Sequence, residues 1–211
     1  MKGIERTMLP SLSTIIRERR SIRRFRPDPV PVSLLHDVFE EIRFMPCPTN
    51  RQCFQFVAVE HQLKIQAMKQ EIVTEVERMV QKLDTEDGEK FRKYAEFFTF
   101  FEKAPLTIVG LYRTFVSRLP SGDPAAESIQ GLAEIQAFGG AVSALLLELH
   151  ARGLGACWMT GPLIAERRIL QVLDVENPWR LGAVIPIGYP LEKADCPKKP
   201  PREKVFSVLA D

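Results

Sequence analysis

The sequence predicts an α+β fold, with few strands set among long helices. Three observations carry this. Runs rich in β-forming residues are few, the main ones being 54–60, 106–112 and 183–187. The runs between them repeat their apolar residues at helical spacing. Strands and helices do not alternate at the regular spacing of a parallel βαβ sheet. The 211 residues are read as one domain, 1–211, long enough to bury a core without staples.

Residues 11–20 form a short helix, with Ser11 or Ser13 as its cap. Pro27, Pro29 and Pro31 then force an extended connection. In 33–44 the apolar positions Leu34, Leu35, Val38, Phe39 and Ile42 make one helical stripe. Two prolines and an asparagine make 45–52 a loop, and 54–60 is a strand. A charged amphipathic helix covers 61–83 and breaks at 85–88. Another helix, 89–103, carries an aromatic face of Phe91, Tyr94, Phe97, Phe98 and Phe101. Residues 106–112 form a buried strand, and 116–124 a loop. The run 125–152 reads as one long helix, apolar nearly all round in its second half, and therefore central or interfacial. Gly153 and Gly155 end it. A short strand at 156–159 precedes a helix that Pro162 opens at its first position and that runs to 173. Residues 183–187 are the last core strand, followed by a basic, proline-rich tail.

Composition narrows the function. Apolar residues make up 45% and charged residues 27%, ordinary for a globular protein, and the net charge is only +2. That balance argues against a protein built to coat nucleic acid or an acidic membrane. Cys47, Cys53, Cys157 and Cys196 form no CxxC pair, and His36, His61 and His150 stand at no metal-ligand spacing from them. Reduced cysteines are expected. The charged N-terminus does not read as a secretory signal. The longest apolar stretch, 137–147, is interrupted by Ser143 and too short to cross a bilayer. These readings predict a cytoplasmic protein.

Against this near-neutral background, six of the ten residues 17–26 (RERRSIRRFR) are arginines. Cations at a helix C-terminus are favourable without a ligand. The sharper reading is a phosphate clamp, since guanidinium forks match phosphate oxygens in pairs and Ser21 adds a hydroxyl. Three further segments stand out: 46–52, where Asn50 and Gln52 offer amides to a ring of mixed donors and acceptors; 153–162, where Gly161 leaves the backbone bare at a helix start; and the basic tail, 198–202. Each also has a plain structural reading as loop, turn or solvated tail.

In this order the segments resemble the FMN-dependent nitroreductase family. The resemblance rests on Arg19-Arg20-Ser21-Ile22-Arg23-Arg24-Phe25, on the loop and strand 46–56, on Gly153-Leu154-Gly155-Ala156-Cys157-Trp158, and on Gly188-Tyr189-Pro190 with the basic tail. It implies a nitroreductase-like fold: a central, mostly antiparallel sheet flanked by helices, with the C-terminal segment, carrying 205–209 as a strand, exchanged onto a dimer partner. It implies FMN as cofactor, its phosphate and nearby ring edge held by Arg19, Ser21 and Arg23, with Arg20 close to the ring. Lys199, or failing it Lys198, completes the phosphate site; no role falls to Arg24 or Arg26. Pro46, Cys47, Pro48 and Asn50 would reach the flavin of the other subunit. Here the sequence departs from the family pattern, because Cys47-Pro48 stands where two serines are usual and Cys53-Phe54 where Pro-Trp is. Thr160 and Gly161 fall where a backbone N–H meets flavin N5. The implied activity is ping-pong reduction of a small organic acceptor, such as a nitroaromatic or quinone, at the expense of NAD(P)H, in a homodimer. No side chain is assigned as a catalytic acid or base, and no metal is expected. The same scaffold also serves ene reduction, flavin reduction, dehalogenation and flavin cleavage. Readings from other classes are a flavin-binding protein without turnover and a nucleic-acid binder gripping through 17–26.

Overall fold

The computed structural model describes residues 11–115, 122–192 and 194–209; most of the loop expected at 116–124 lies outside them. Four strands form one sheet in the order β1-β2-β4-β3: β1 Phe54–Val59, β2 Leu106–Tyr112, β3 Gly155–Ala156 and β4 Arg180–Gly188. All three pairings are antiparallel, with Phe54 opposite Tyr112, Ile108 opposite Ile185 and Gly155 opposite Gly188. The β2–β4 register shifts between Gly110 and Leu111.

Successive β2 side chains point to opposite faces, and both faces are covered. On one, Leu106 and Ile108 pack with α2 (Val32–Ile42) and the long helix that ends at Ala151. On the other, Val109 and Leu111 pack with α3 (Gln62–Val80), whose Ile65, Met68 and Ile72 are fully buried.

Local chemistry sets the helix ends. Ser11 caps α1 (Leu12–Glu18), its Oγ accepting the Thr14 N–H at 3.3 Å. The break expected at 85–88 falls earlier. Asp84 caps α4 (Thr85–Ala95), accepting the Asp87 N–H at 2.9 Å, so 85–88 is the first turn of a helix. Gly88 fits there because a Cβ would lie 3.2 Å from Val80 Cγ1.

Nor does one helix fill 89–103. After Ala95 the chain makes two 3₁₀ turns, Glu96–Phe98 and Phe100–Lys103. Burial of Phe98 and Phe101 outweighs the propensity of this run to stay helical.

The expected helix 125–152 is two. Gly131, at φ +76, separates α5 (Pro124–Ile129) from α6 (Leu132–Ala151), and a Cβ on it would meet Thr114 Cγ2 at 2.7 Å. The run from Pro124 to Ala151 is long and apolar enough by composition to cross a membrane, which counting uninterrupted apolar residues misses. Here Phe138, Ala141, Val142, Leu145 and Leu149 of α6 are buried in the core. Of the two glycines expected to end the helix, Gly153 does so: at φ +78 it donates to His150 O, and Leu154 donates back to Leu149 O at 2.9 Å, a Schellman closure, whereas Gly155 lies in β3.

The helix expected from Pro162 to 173 begins as a 3₁₀ turn, Gly161–Ala165, and becomes α7 only over Glu166–Val172. In the tail, Arg202–Lys204 is a 3₁₀ turn, and 205–209 makes no strand within the single chain; Val205, Phe206, Val208 and Leu209 stand exposed.

Candidate functional site

The arginine segment is a strip docked along the edge of the sheet. The Ile22 N–H donates to Ala156 O at 3.0 Å, the Arg26 N–H to Tyr189 O at 2.9 Å, and the Leu191 N–H to Arg24 O at 3.0 Å. Ser21 bridges Ala156 in parallel, and Phe25 bridges Pro190. Two glycines make this docking possible. A Cβ on Gly155 would lie 2.7 Å from Ile22, and one on Gly188 would lie 2.8 Å from Pro105 and 3.0 Å from Phe25. The glycines of the 153–155 and 188–190 segments thus serve the arginine strip, a link that reading each segment alone does not reveal.

The arginines then divide. Arg24 Nη1 donates to both carboxylate oxygens of Glu192 at 3.2 Å, and Arg26 Nε pairs with Asp28 at 3.1 Å. Arg20 is bound to backbone: it donates to Arg17 O at 2.6 Å, Arg19 O at 2.8 Å and Asp195 O at 3.2 Å. Among the described residues, neither Arg19 nor Arg23 has a carboxylate within 4.0 Å.

Both line a cleft of about 820 Å³, together with Arg17, Arg20, Ser21 and Lys199; Asp195 and Cys196 line it as well. Lys198 is not among its lining residues. Arg23 also lines a second, aromatic cavity of about 420 Å³, with Phe97, Phe100, Trp158, Thr160 and Gly161. Arg23 thus lines both spaces. Cys157, which lines the aromatic cavity, has its thiol pushed up by burial, an effect that the Arg23 charge, the Ser21 hydroxyl and the Arg19 charge partly offset. Behind the cleft, burial holds the His150 imidazole below its ordinary value.

Gly161 has a role the sequence does not disclose. A Cβ there would lie 2.1 Å from Phe98 Cδ1, so the space left by the missing side chain is taken by the protein's own ring. Phe98 is held in turn by edge-on contacts with Tyr94, at 5.2 Å between ring centres, and Phe91, at 6.4 Å.

The loop candidates sit elsewhere. Pro48–Asn50 is a 3₁₀ turn closed by the Asn50 N–H donating to Cys47 O at 3.0 Å, with Thr49 at φ +54 and Asn50 at φ +55. Pro46, Cys47, Pro48 and Asn50 line neither cleft of the single chain. The structure therefore brings together Arg19, Arg20, Ser21, Arg23 and Lys199, joins Thr160 and Gly161 to them through Arg23, and leaves Lys198 and the loop apart.

Known proteins match this chain over most of its length. YfhC of Bacillus subtilis strain 168, which carries a provisional NAD(P)H nitroreductase name, is 23% identical over 198 residues, covering 94% of each chain. A BluB-like flavoprotein from Clostridium difficile 630 superposes with a TM-score of 0.85 at 24% identity, covering 95% of this chain and all of its own (100%). The FMN and NADPH-dependent nitroreductase NfnB, from Sphigopyxis sp. strain HMH, superposes with a TM-score of 0.71 at 18% identity, covering 96% and 100% of the two chains. Residues 16–189, which include the whole arginine strip, the sheet and the aromatic cavity, match the model of the nitroreductase family, and the chain belongs to that family.

Proposed function

We propose that this chain is an FMN-dependent oxidoreductase that takes electrons from NAD(P)H and passes them to a small organic acceptor, a nitroaromatic or a quinone, in ping-pong order. One observation carries the reading: Arg19 and Arg23, like Arg17 without a carboxylate partner among the described residues, line one cleft, and Arg23 also lines an aromatic cavity. A dianionic phosphate joined to a flat ring has that form.

The donor set fits such a group. Arg19 and Arg23 offer guanidinium forks, Ser21 a hydroxyl and Lys199 an ammonium, and charge-assisted bonds of this kind are roughly twice as strong as neutral ones. Arg20 is engaged with carbonyls and acts here by fixing the cleft wall. When bound, FMN supplies two-electron redox chemistry that no side chain can supply. The protein's own part is to orient the ring, to hold positive charge beside it, and to present the Gly161 N–H that opens the 3₁₀ turn, where Pro162 has no N–H and that of Leu163 already donates to Thr160 O at 3.0 Å. Phe98 sets how closely anything approaches that turn.

Further parts of the proposal concern the assembly. The chain acts as one domain in a cytoplasmic homodimer. Pro46, Cys47, Pro48 and Asn50, remote from the chain's own cleft, serve the flavin of the second subunit. The exposed apolar residues of 205–209 find cover on the partner, as do Leu132 and Ile135 of α6.

The test is the visible spectrum of the purified protein, followed by extraction of its pigment and steady-state turnover of a nitroarene, a quinone, an enone and a haloaromatic with each nicotinamide. Stoichiometric FMN and parallel double-reciprocal lines are expected. A colourless protein that binds no added FMN would overturn the reading, and salt-sensitive nucleic-acid binding would replace it.

A further inference from the structure

Cys47 and Cys53 stand at the two ends of the turn 47–53, with their Sγ atoms 3.5 Å apart. They differ in how they are held. Cys53 is fully buried one residue before β1. Its carbonyl accepts the Arg113 N–H at 2.9 Å, and its Sγ lies 4.0 Å from Glu134 O of α6. Cys47 is half-buried, lies between two prolines, and leads into a turn with two consecutive non-glycine residues at positive φ. The only other polar neighbour of its Sγ among the described contacts is Gln52 Oε1, at 3.7 Å. Burial, then the hydrogen bond to Cys47, push the Cys53 thiol up to about 12.

A disulfide has an S–S distance of about 2.05 Å. The two sulfurs need to approach by roughly 1.5 Å to reach it, and of the two Cys47 is the more exposed in the single chain. We infer that Cys47 and Cys53 form a reversible intrachain disulfide that latches the turn 46–52 to the start of β1, with hydrogen peroxide as the oxidant. The half-exposed Cys47 thiolate attacks one peroxide oxygen; the O–O bond breaks, leaving a sulfenic acid, and the departing hydroxide becomes water on protonation. The Cys53 sulfur then attacks the Cys47 sulfur. The S–O bond breaks, and the second hydroxide leaves as water with the Cys53 proton. Two thiols lose two electrons and two protons, and one peroxide becomes two waters. A dithiol reductant reverses the bond by exchange.

The regulatory consequence rests on the proposed function: the latched turn is the one assigned to the partner's flavin, and a reduced flavin meeting dioxygen is a local source of peroxide. The chemistry of the pair does not depend on that reading, so the test separates them. The protein as purified is titrated with hydrogen peroxide, blocked with iodoacetamide, digested and weighed. A peptide joining Cys47 to Cys53, lighter by two hydrogens and restored by dithiothreitol, is expected; C47A and C53A each abolish it. Amide exchange of Thr49, Asn50 and Arg51 should slow about tenfold in the oxidised protein. Peroxide-treated protein in which Cys53 is still alkylated, while Cys47 carries a sulfinic acid or is joined to Cys196, would overturn the inference; so would unchanged amide exchange in linked protein. If C53A does not fold, C47A and the wild-type peptide map still decide it. A protein that forms the link but binds no FMN would refute the flavin assignment and leave the latch standing.

Discussion

The ring of Phe98 occupies the place of the side chain that Gly161 lacks: a methyl group at 161 would lie 2.1 Å from Phe98 Cδ1. Phe98 is almost fully buried, at 7% exposure, and held edge-on by Tyr94 and Phe91, so it can give way only by breaking those contacts and entering the aromatic cavity it lines. Gly161→Ala should therefore destabilise the fold by about 1–3 kcal/mol, the range for overpacking a filled core. Adding Phe98→Ala should cost less in that background than in the wild type. Urea unfolding of the four proteins of this cycle measures the coupling; strictly additive losses would show that the contact does not matter. Gly161→Val should in addition leave the protein short of FMN.

Arg19 and Arg23 should divide functionally from Arg24 and Arg26. A charge-assisted hydrogen bond contributes about 1.5–3 kcal/mol. Each single alanine variant at 19 or 23 should weaken FMN binding about tenfold to a hundredfold, and the double variant should lose the pigment on a desalting column. Arg24→Ala and Arg26→Ala remove ion pairs to Glu192 and Asp28 that stand in solvent and should leave FMN content unchanged. Fluorescence titration with FMN reads all four.

The two tail lysines give a sharper contrast, because they are neighbours in sequence. Lys199 lines the cationic cleft and Lys198 does not. Lys199→Ala should weaken FMN binding by about tenfold, in line with one lost charge-assisted contact. Lys198→Ala should change it little. Equal losses in the two variants would assign the phosphate to the tail as a whole.

An acid-sensitive joint lies on the far side of the sheet. Arg180 reaches back to Glu166 at the start of α7, with Nη2 donating to Oε2 at 2.9 Å, and the Leu181 N–H donates to the same carboxylate at 3.2 Å. The Arg180 hydrogen bond holds the Glu166 carboxyl below its ordinary value, against an opposing effect of burial. A carboxyl with a depressed folded-state pKa adds stability that is complete above its unfolded value. That stability is lost as pH falls through the folded value. Glu166→Gln should cost about 1–2 kcal/mol near neutrality and converge with the wild type in acid, as chemical denaturation across pH would show.

Much of the fold was legible, and what was not has identifiable causes. Strands β1 and β2 follow from β-rich runs, and α2 from its stripe of Leu35, Val38 and Ile42. Gly88 reads as a breaker and so puts the break after α3 too late, whereas Asp84 caps the next helix ahead of it. Gly131 reads as an ordinary helical residue, yet its positive φ divides the long run. The aromatic run after Ala95 leaves the helix because Phe98 and Phe101 find the core from 3₁₀ geometry, a tertiary effect no local pattern encodes. In the site, the gathering of Arg19, Ser21, Arg23 and Lys199 could be named from motif order. The division of labour among the arginines could not, because it depends on Glu192 and Asp195, far along the chain. Nor could the pairing of Phe98 with Gly161, which joins segments that carry no shared pattern.

The contact of Arg20 with Asp195 O, described above as fixing the cleft wall, ties together two stretches of chain 175 residues apart. The cleft is lined only from residues 16–23 and 194–199, and neither stretch supplies one of the four strands. Proteolytic removal of the tail from Ala194 onward would therefore leave the sheet its strands while taking Lys199 from the cleft, so on the proposed function limited digestion should bleach the protein before it unfolds it.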